Sequence, residues 1–97
     1  MADGTEVLYQ AAWLECRQAA GMKANEAFVR IGRAFAPEPP SFYVERSLVR
    51  PEPTDVEADG RVKVTLICCN NERATVEVSG EPLTFGPRIE VPSDSLE

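Results

Sequence analysis

The segment that most constrains this chain is Arg61 to Ser79, RVKVTLICCNNERATVEVS, because apolar and polar side chains alternate through it with a period of two. Val62, Val64, Leu66 and Cys68 fall on one face of a first strand, and Arg61, Lys63, Thr65, Ile67 and Cys69 on the other. Beyond Asn70-Asn71, Ala74, Val76 and Val78 alternate with Arg73, Thr75, Glu77 and Ser79. Alternating β-branched residues mark strands buried on one face and wet on the other, here joined as a hairpin. The register follows from matching those faces. A two-residue Asn70-Asn71 turn pairs Cys69 with Glu72 and sets Leu66 opposite Thr75, which mixes them. A three-residue loop, Asn70 to Glu72, pairs Cys69 with Arg73 and Cys68 with Ala74 and keeps the apolar side chains together. Asparagine tolerates the left-handed conformations such a loop needs.

Around this hairpin, 97 residues make a single domain, 1–97, able to bury a modest core without metal or disulfide help. No apolar run approaches the roughly 20 residues of a membrane helix. The start carries no charged-then-apolar leader. The expectation is a soluble protein of the cytoplasm, the host cytoplasm if the chain is phage-encoded, with no membrane partner.

Two helices are expected ahead of the hairpin. Asp3 and Glu6 have capping-box spacing, so a first helix starts near Gly4, runs to Ala20 and is capped by Gly21. Leu8, Tyr9, Ala12, Trp13 and Cys16 cover one broad face of it, and Val7, Ala11 and Leu14 form a second stripe. A second helix runs from Lys23 or Asn25 to Phe35, with Ala24, Ala27, Phe28, Ile31, Ala34 and Phe35 on one side, and Pro37 stops it. Residues 1–36 thus read as an αα-hairpin. Residues 37–60 are a Pro-rich connector, with a strand expected over Phe42 to Val49 and a mobile acidic loop, RPEPTDVEADG, after it. Residues 61–92 hold the hairpin and a third strand, which begins at Leu83 and Phe85, breaks at Gly86-Pro87 and resumes over Arg88 to Val91. Residues 93–97 are a tail. The expected fold class is α+β: an N-terminal αα-hairpin packed on a small, mainly antiparallel sheet of three or four strands.

Chemistry-bearing motifs are sparse. The segment Gln18 to Phe35, QAAGMKANEAFVRIGRAF, looks like a helix-turn-helix carrying Arg30 and Arg33, which makes DNA binding one alternative. A third helix is missing, and a formal net charge of −6 opposes direct nucleic-acid binding. No carboxylate pair, nucleophile elbow or glycine-rich phosphate loop stands out, so no catalytic residue is assigned and the chain reads as a non-enzyme. Of the three cysteines, Cys68 and Cys69 point to opposite faces of a strand and Cys16 lies far off. With no histidine in the chain, no metal and no cofactor is expected.

What remains is binding. The favoured function is a small adaptor or inhibitor-like protein that docks a macromolecular partner, another protein, through Tyr9 and Trp13, one helical turn apart, with Arg17 a turn further on. The apolar surplus of the first helix also fits a homodimer. Charge supplies the alternative. Residues 1–36 are balanced, whereas residues 37–97 carry twelve acidic groups against six basic ones. In size and charge, and in nothing more specific, the chain is similar to small acidic phage inhibitors that mimic nucleic-acid charge and block a basic groove. Glu52, Asp55, Glu57, Asp59, Glu77, Glu81 and Glu90 would form that surface, and the partner would be basic or nucleic-acid-binding.

Overall fold

A computed structural model describes residues 7–79, 81–82 and 87–97, with backbone alone for 81–82. Eight strands follow one another: β1 (Gln10–Ala20), β2 (Glu26–Arg30), β3 (Ser41–Glu45), β4 (Val49–Arg50), β5 (Ala58–Cys69), β6 (Arg73–Glu77), β7 (Glu81–Pro82) and β8 (Arg88–Pro92). Short 3-10 turns occupy Arg46–Leu48 and Ser93–Ser95. Every pairing is antiparallel, in the order β7-β3-β2-β1-β5-β6-β8, with β4 on β5. The sheet curls into a half-barrel around one core.

The fold is therefore nearly all β, and the expected α+β class is wrong. Among the described residues there is no α-helix, and the αα-hairpin of residues 1–36 is replaced by the β1–β2 hairpin. The supposed cap at Asp3 and Glu6 and the start at Gly4 lie outside the described residues. In β1, Ala12, Leu14, Cys16 and Gln18 point into the core, while Ala11, Trp13, Glu15 and Arg17 point outward. Alanines on both faces produced the appearance of a helix apolar on two sides. Gln18, polar yet 2% exposed, hid the period of two. The deciding interaction is non-local: β1 pairs with β5 from Gln10↔Leu66 to Gln18↔Ala58, which satisfies one whole backbone edge. Tertiary pairing overrides the helix propensity of an alanine-rich segment. The helix-turn-helix reading of Gln18 to Phe35 falls for the same reason, since β2 occupies its second half.

The Arg61–Ser79 hairpin is present, with one correction. Thr65↔Glu77 and Leu66↔Val76 hold the expected register, but a bulge at Ile67 shifts the turn end to Cys68↔Thr75 and Cys69↔Ala74. The extra residue turns Ile67 inward, where it is 4% exposed instead of wet. The three-residue loop is replaced by a tighter closure. The Asn70 N–H donates to the Arg73 carbonyl at 2.8 Å, and Asn70 Oδ1 accepts the N–H groups of Glu72 and Arg73 at 2.8 and 2.9 Å.

The expected Phe42–Val49 strand divides into β3 and β4 around the 3-10 turn. The acidic loop ends earlier than expected, because Asp59 and Gly60 already belong to β5. It is tied back by Ala20 N–H to the Thr54 carbonyl at 2.7 Å. The strand over Arg88 to Val91 is β8, while Leu83, Phe85 and Gly86 lie outside the described residues. The segment 93–97 is no loose tail: Leu96 bridges Leu14, and the Glu97 N–H donates to the Trp13 carbonyl at 2.9 Å.

Phe42, Leu14, Ile31, Val29, Val62, Val76 and Val91 are the most completely buried large side chains, drawn from six of the strands and the segment after β2. One backbone bond joins the segment after β2 to β8 across the curl, Phe35 N–H to the Glu90 carbonyl at 2.8 Å, while Val78 N–H to the Pro87 carbonyl, also 2.8 Å, extends the β6–β8 ladder. No helix among the described residues is long and apolar enough to cross a membrane.

Candidate functional site

The core fills the concave side, so the outward side chains of the strands form the protein's surface. On β1, β2 and β3 that surface carries three cross-strand rows, set by the pleat. The middle row is apolar: Ala19 faces Phe28, and Phe28 faces Tyr43. The two rings meet edge to face, with centroids 5.5 Å apart at 62°. Small Ala19 leaves a shallow depression beside them, which Met22, 88% exposed at the β1–β2 turn, overhangs.

The row on one side pairs like charges, Arg17 opposite Arg30. The chain resolves this itself. Glu57 comes in from the loop before β5 and accepts from Arg17 Nε at 3.1 Å and from Arg30 Nη2. Asp59 takes Arg17 Nη1 at 2.9 Å. The hydrogen bond from Arg17, with the nearby charge of Arg30, holds the Glu57 carboxyl below its ordinary range despite partial desolvation. The same carboxylates raise Arg17 further.

The row on the other side also pairs like charges, Glu26 opposite Glu45. Here no cation lies within ion-pair distance among the described residues. Lys23 lines the same hollow, but only its backbone N–H reaches Glu26 Oε1, at 3.4 Å. The contrast is sharp because each of the eight arginines in the chain has a carboxylate partner within 4.0 Å.

The residues singled out from sequence scatter. Tyr9 is 61% exposed and precedes β1 with a left-handed φ of 48°. Trp13 lies in β1 beneath the Arg50 guanidinium, 4.0 Å from its ring centroid. In extended chain the two are about 13 Å apart rather than one helical turn, so they form no joint ridge. Arg17, Glu57 and Asp59 do come together, as an internal clasp. Glu77 lies 4.0 Å from Arg88, and Glu52 lies 3.9 Å from Arg46. Asp55 is exposed and forms no ion pair among the described residues. Sequence reasoning missed Met22, Glu26, Tyr43 and Glu45 and placed Phe28 in a helix core. The alternation in Ser41–Glu45, SFYVE, was the available signal, since it sends Phe42 and Val44 inward and Tyr43 and Glu45 outward.

The three cysteines are free: Cys16 is buried, Cys68 half-buried and Cys69 exposed. Burial pushes the Cys16 thiol up to about 12. Among the described residues no group of three or more His, Cys, Asp or Glu side chains is arranged to hold a metal ion. No protein-family model, curated protein or solved structure matches this chain.

Proposed function

We propose that this chain is a small non-enzymatic protein-binding module of adaptor or inhibitor type, acting in the cytoplasm, and that its docking surface is the outer face of β1–β3. The observation that carries this is the Phe28–Tyr43 edge-to-face pair beside an almost fully exposed Met22. Burying one such methionine contributes about 1.5–3 kcal/mol. Aromatic and methionine side chains at the centre of a patch are what protein interfaces favour. Three free thiols fit a reducing compartment. Trp13 is a weaker anchor, since Arg50 covers it. The acidic-blocker alternative draws less support, because Glu57, Asp59 and Glu77 are already engaged by arginines.

Affinity capture from extracts with paired variants tests the reading. Proteins held by the wild type should be lost with Met22→Asp and kept with the double variant Glu52→Gln/Asp55→Asn. Capture that survives Met22→Asp, but fails in the double variant and falls steeply with salt, would transfer the function to the acidic surface.

A further inference from the structure

We infer that the segment this face accepts is basic and extended, with a Lys or Arg two residues from an apolar side chain: the cation seats between Glu26 and Glu45, and the apolar side chain covers Phe28, Tyr43 and Met22. The inference rests on the docking face proposed above and supplies the chemistry of its partner.

Two like-charged cross-strand pairs flank the same aromatic row. Like charges directly opposite one another destabilise a sheet. At Arg17↔Arg30 the chain places its own carboxylate, Glu57, between the two guanidinium groups. At Glu26↔Glu45 no cation lies within 4.0 Å among the described residues, and Lys23, which lines the same hollow, turns only its backbone N–H to Glu26. Where the paired arginines take one carboxylate, Glu57, between them, the electrostatic complement of the paired glutamates is a single cation. Spacing then fixes the rest of the ligand. Glu26 and Phe28 are two residues apart on β2, and Glu45 and Tyr43 two apart on β3. Side chains on one side of an extended segment repeat every second residue, about 6.8 Å. A strand-like segment lying along β2 and β3 therefore matches both rows only if its cation and its apolar residue are also two apart. Arginine fits best, since its planar fork reaches two carboxylates and its face stacks on aromatic rings.

Three short labelled peptides test this by NMR titration of the full chain: acetyl-Ser-Arg-Ser-Phe-Ser-amide, its Glu-for-Arg counterpart, and a variant with Arg and Phe adjacent. The first should shift resonances of Glu26, Phe28, Tyr43 and Glu45, and the other two should bind about tenfold more weakly or not at all. Glu45→Gln should weaken the first peptide by a similar factor while leaving thermal stability equal or higher, because it relieves the like-charge pair; the second readout excludes misfolding as the cause. Equal binding of the Glu-for-Arg peptide at the same residues would overturn the basic partner and leave the docking face standing. No binding by any peptide, with capture still lost in Met22→Asp, would do the same. No peptide binding with capture unchanged in Met22→Asp would remove both. Self-association of the wild type that Met22→Asp abolishes would make the occupant a second copy of the chain and overturn the inference.

Discussion

Arg17 and Arg30 stand directly opposite each other across β1 and β2, and the carboxylate of Glu57 lies between them. The three come from two strands and a loop far apart in the chain, so the clasp locks the acidic loop onto the sheet. Its pH dependence follows from the depressed carboxyl, held down first by Arg17 and then by Arg30. The folded value lies below the ordinary 4.5, so the stabilisation is present above 4.5 and is lost as pH falls through the lower folded value. Glu57→Gln should lower Tm at neutral pH and lose less of it on acidification than the wild type. Superimposable acid limbs in the two melting series would show that the clasp contributes nothing.

Gly60 and Gln18 are coupled sterically across β1 and β5. A Cβ at Gly60 would lie 2.6 Å from Gln18 Cδ and 2.7 Å from Nε2. The amide has little room to yield, since Gln18 is 2% exposed and its Nε2 donates to the Pro51 carbonyl at 2.6 Å. Gly60→Ala should cost about 1–3 kcal/mol by overpacking. In a Gln18→Ala background the same change should cost clearly less, because the obstructing atoms are gone. Urea denaturation of the four proteins measures this, and equal penalties in both backgrounds would rule out the contact as the cause.

How much of this was legible depended on where β-branched residues were dense. Val62, Val64, Leu66, Val76 and Val78 announced β5 and β6, and their burial follows their parity. β1 was not legible, because its inward set ends in a glutamine and its outward set includes a tryptophan. Both contradict the polarity rule on which periodicity depends. Gln18 is accommodated by the Pro51 carbonyl, a partner 33 residues away that no local pattern reveals. The bulge at Ile67 was equally hidden, since a single extra residue leaves no compositional mark. The candidate site was less legible still. Phe28 and Tyr43 become neighbours only once β2 pairs with β3 in the observed register, and a helical reading of residues 23–35 buries Phe28 in the wrong core.

Thiol reactivity offers an independent check on β1. Cys16 is 4% exposed, and burial pushes its thiol up to about 12, so almost none is thiolate at neutral pH. In the native protein a disulfide reagent should modify exposed Cys69 first and half-buried Cys68 more slowly. Cys16 should react only on unfolding. Peptide mass mapping after timed labelling assigns the order. Early modification of Cys16 would mean that the inward face of β1 is not where the fold places it.

Trp13 separates the two aromatic surfaces as docking candidates. It is the single tryptophan of the chain, so its fluorescence reports on this position alone. The Arg50 guanidinium sits 4.0 Å above its ring and is itself held by Glu97 Oε1 at 2.7 Å. Arg50→Ala removes the cover at a cost of about 0.5–1 kcal/mol, the scale of a solvent-exposed cation–π contact. Acrylamide is the quencher of choice because, being neutral, it does not respond to the lost charge. Its quenching constant should rise in Arg50→Ala. If the partner docks on Phe28, Tyr43 and Met22, uncovering Trp13 should leave capture of that partner unchanged. An anchoring role for Trp13 requires Arg50 to be displaced on binding, so Arg50→Ala would then strengthen capture. Stronger capture together with protection of Trp13 from acrylamide in the complex would move the docking surface from β2–β3 to the face formed by β1, β4 and β5.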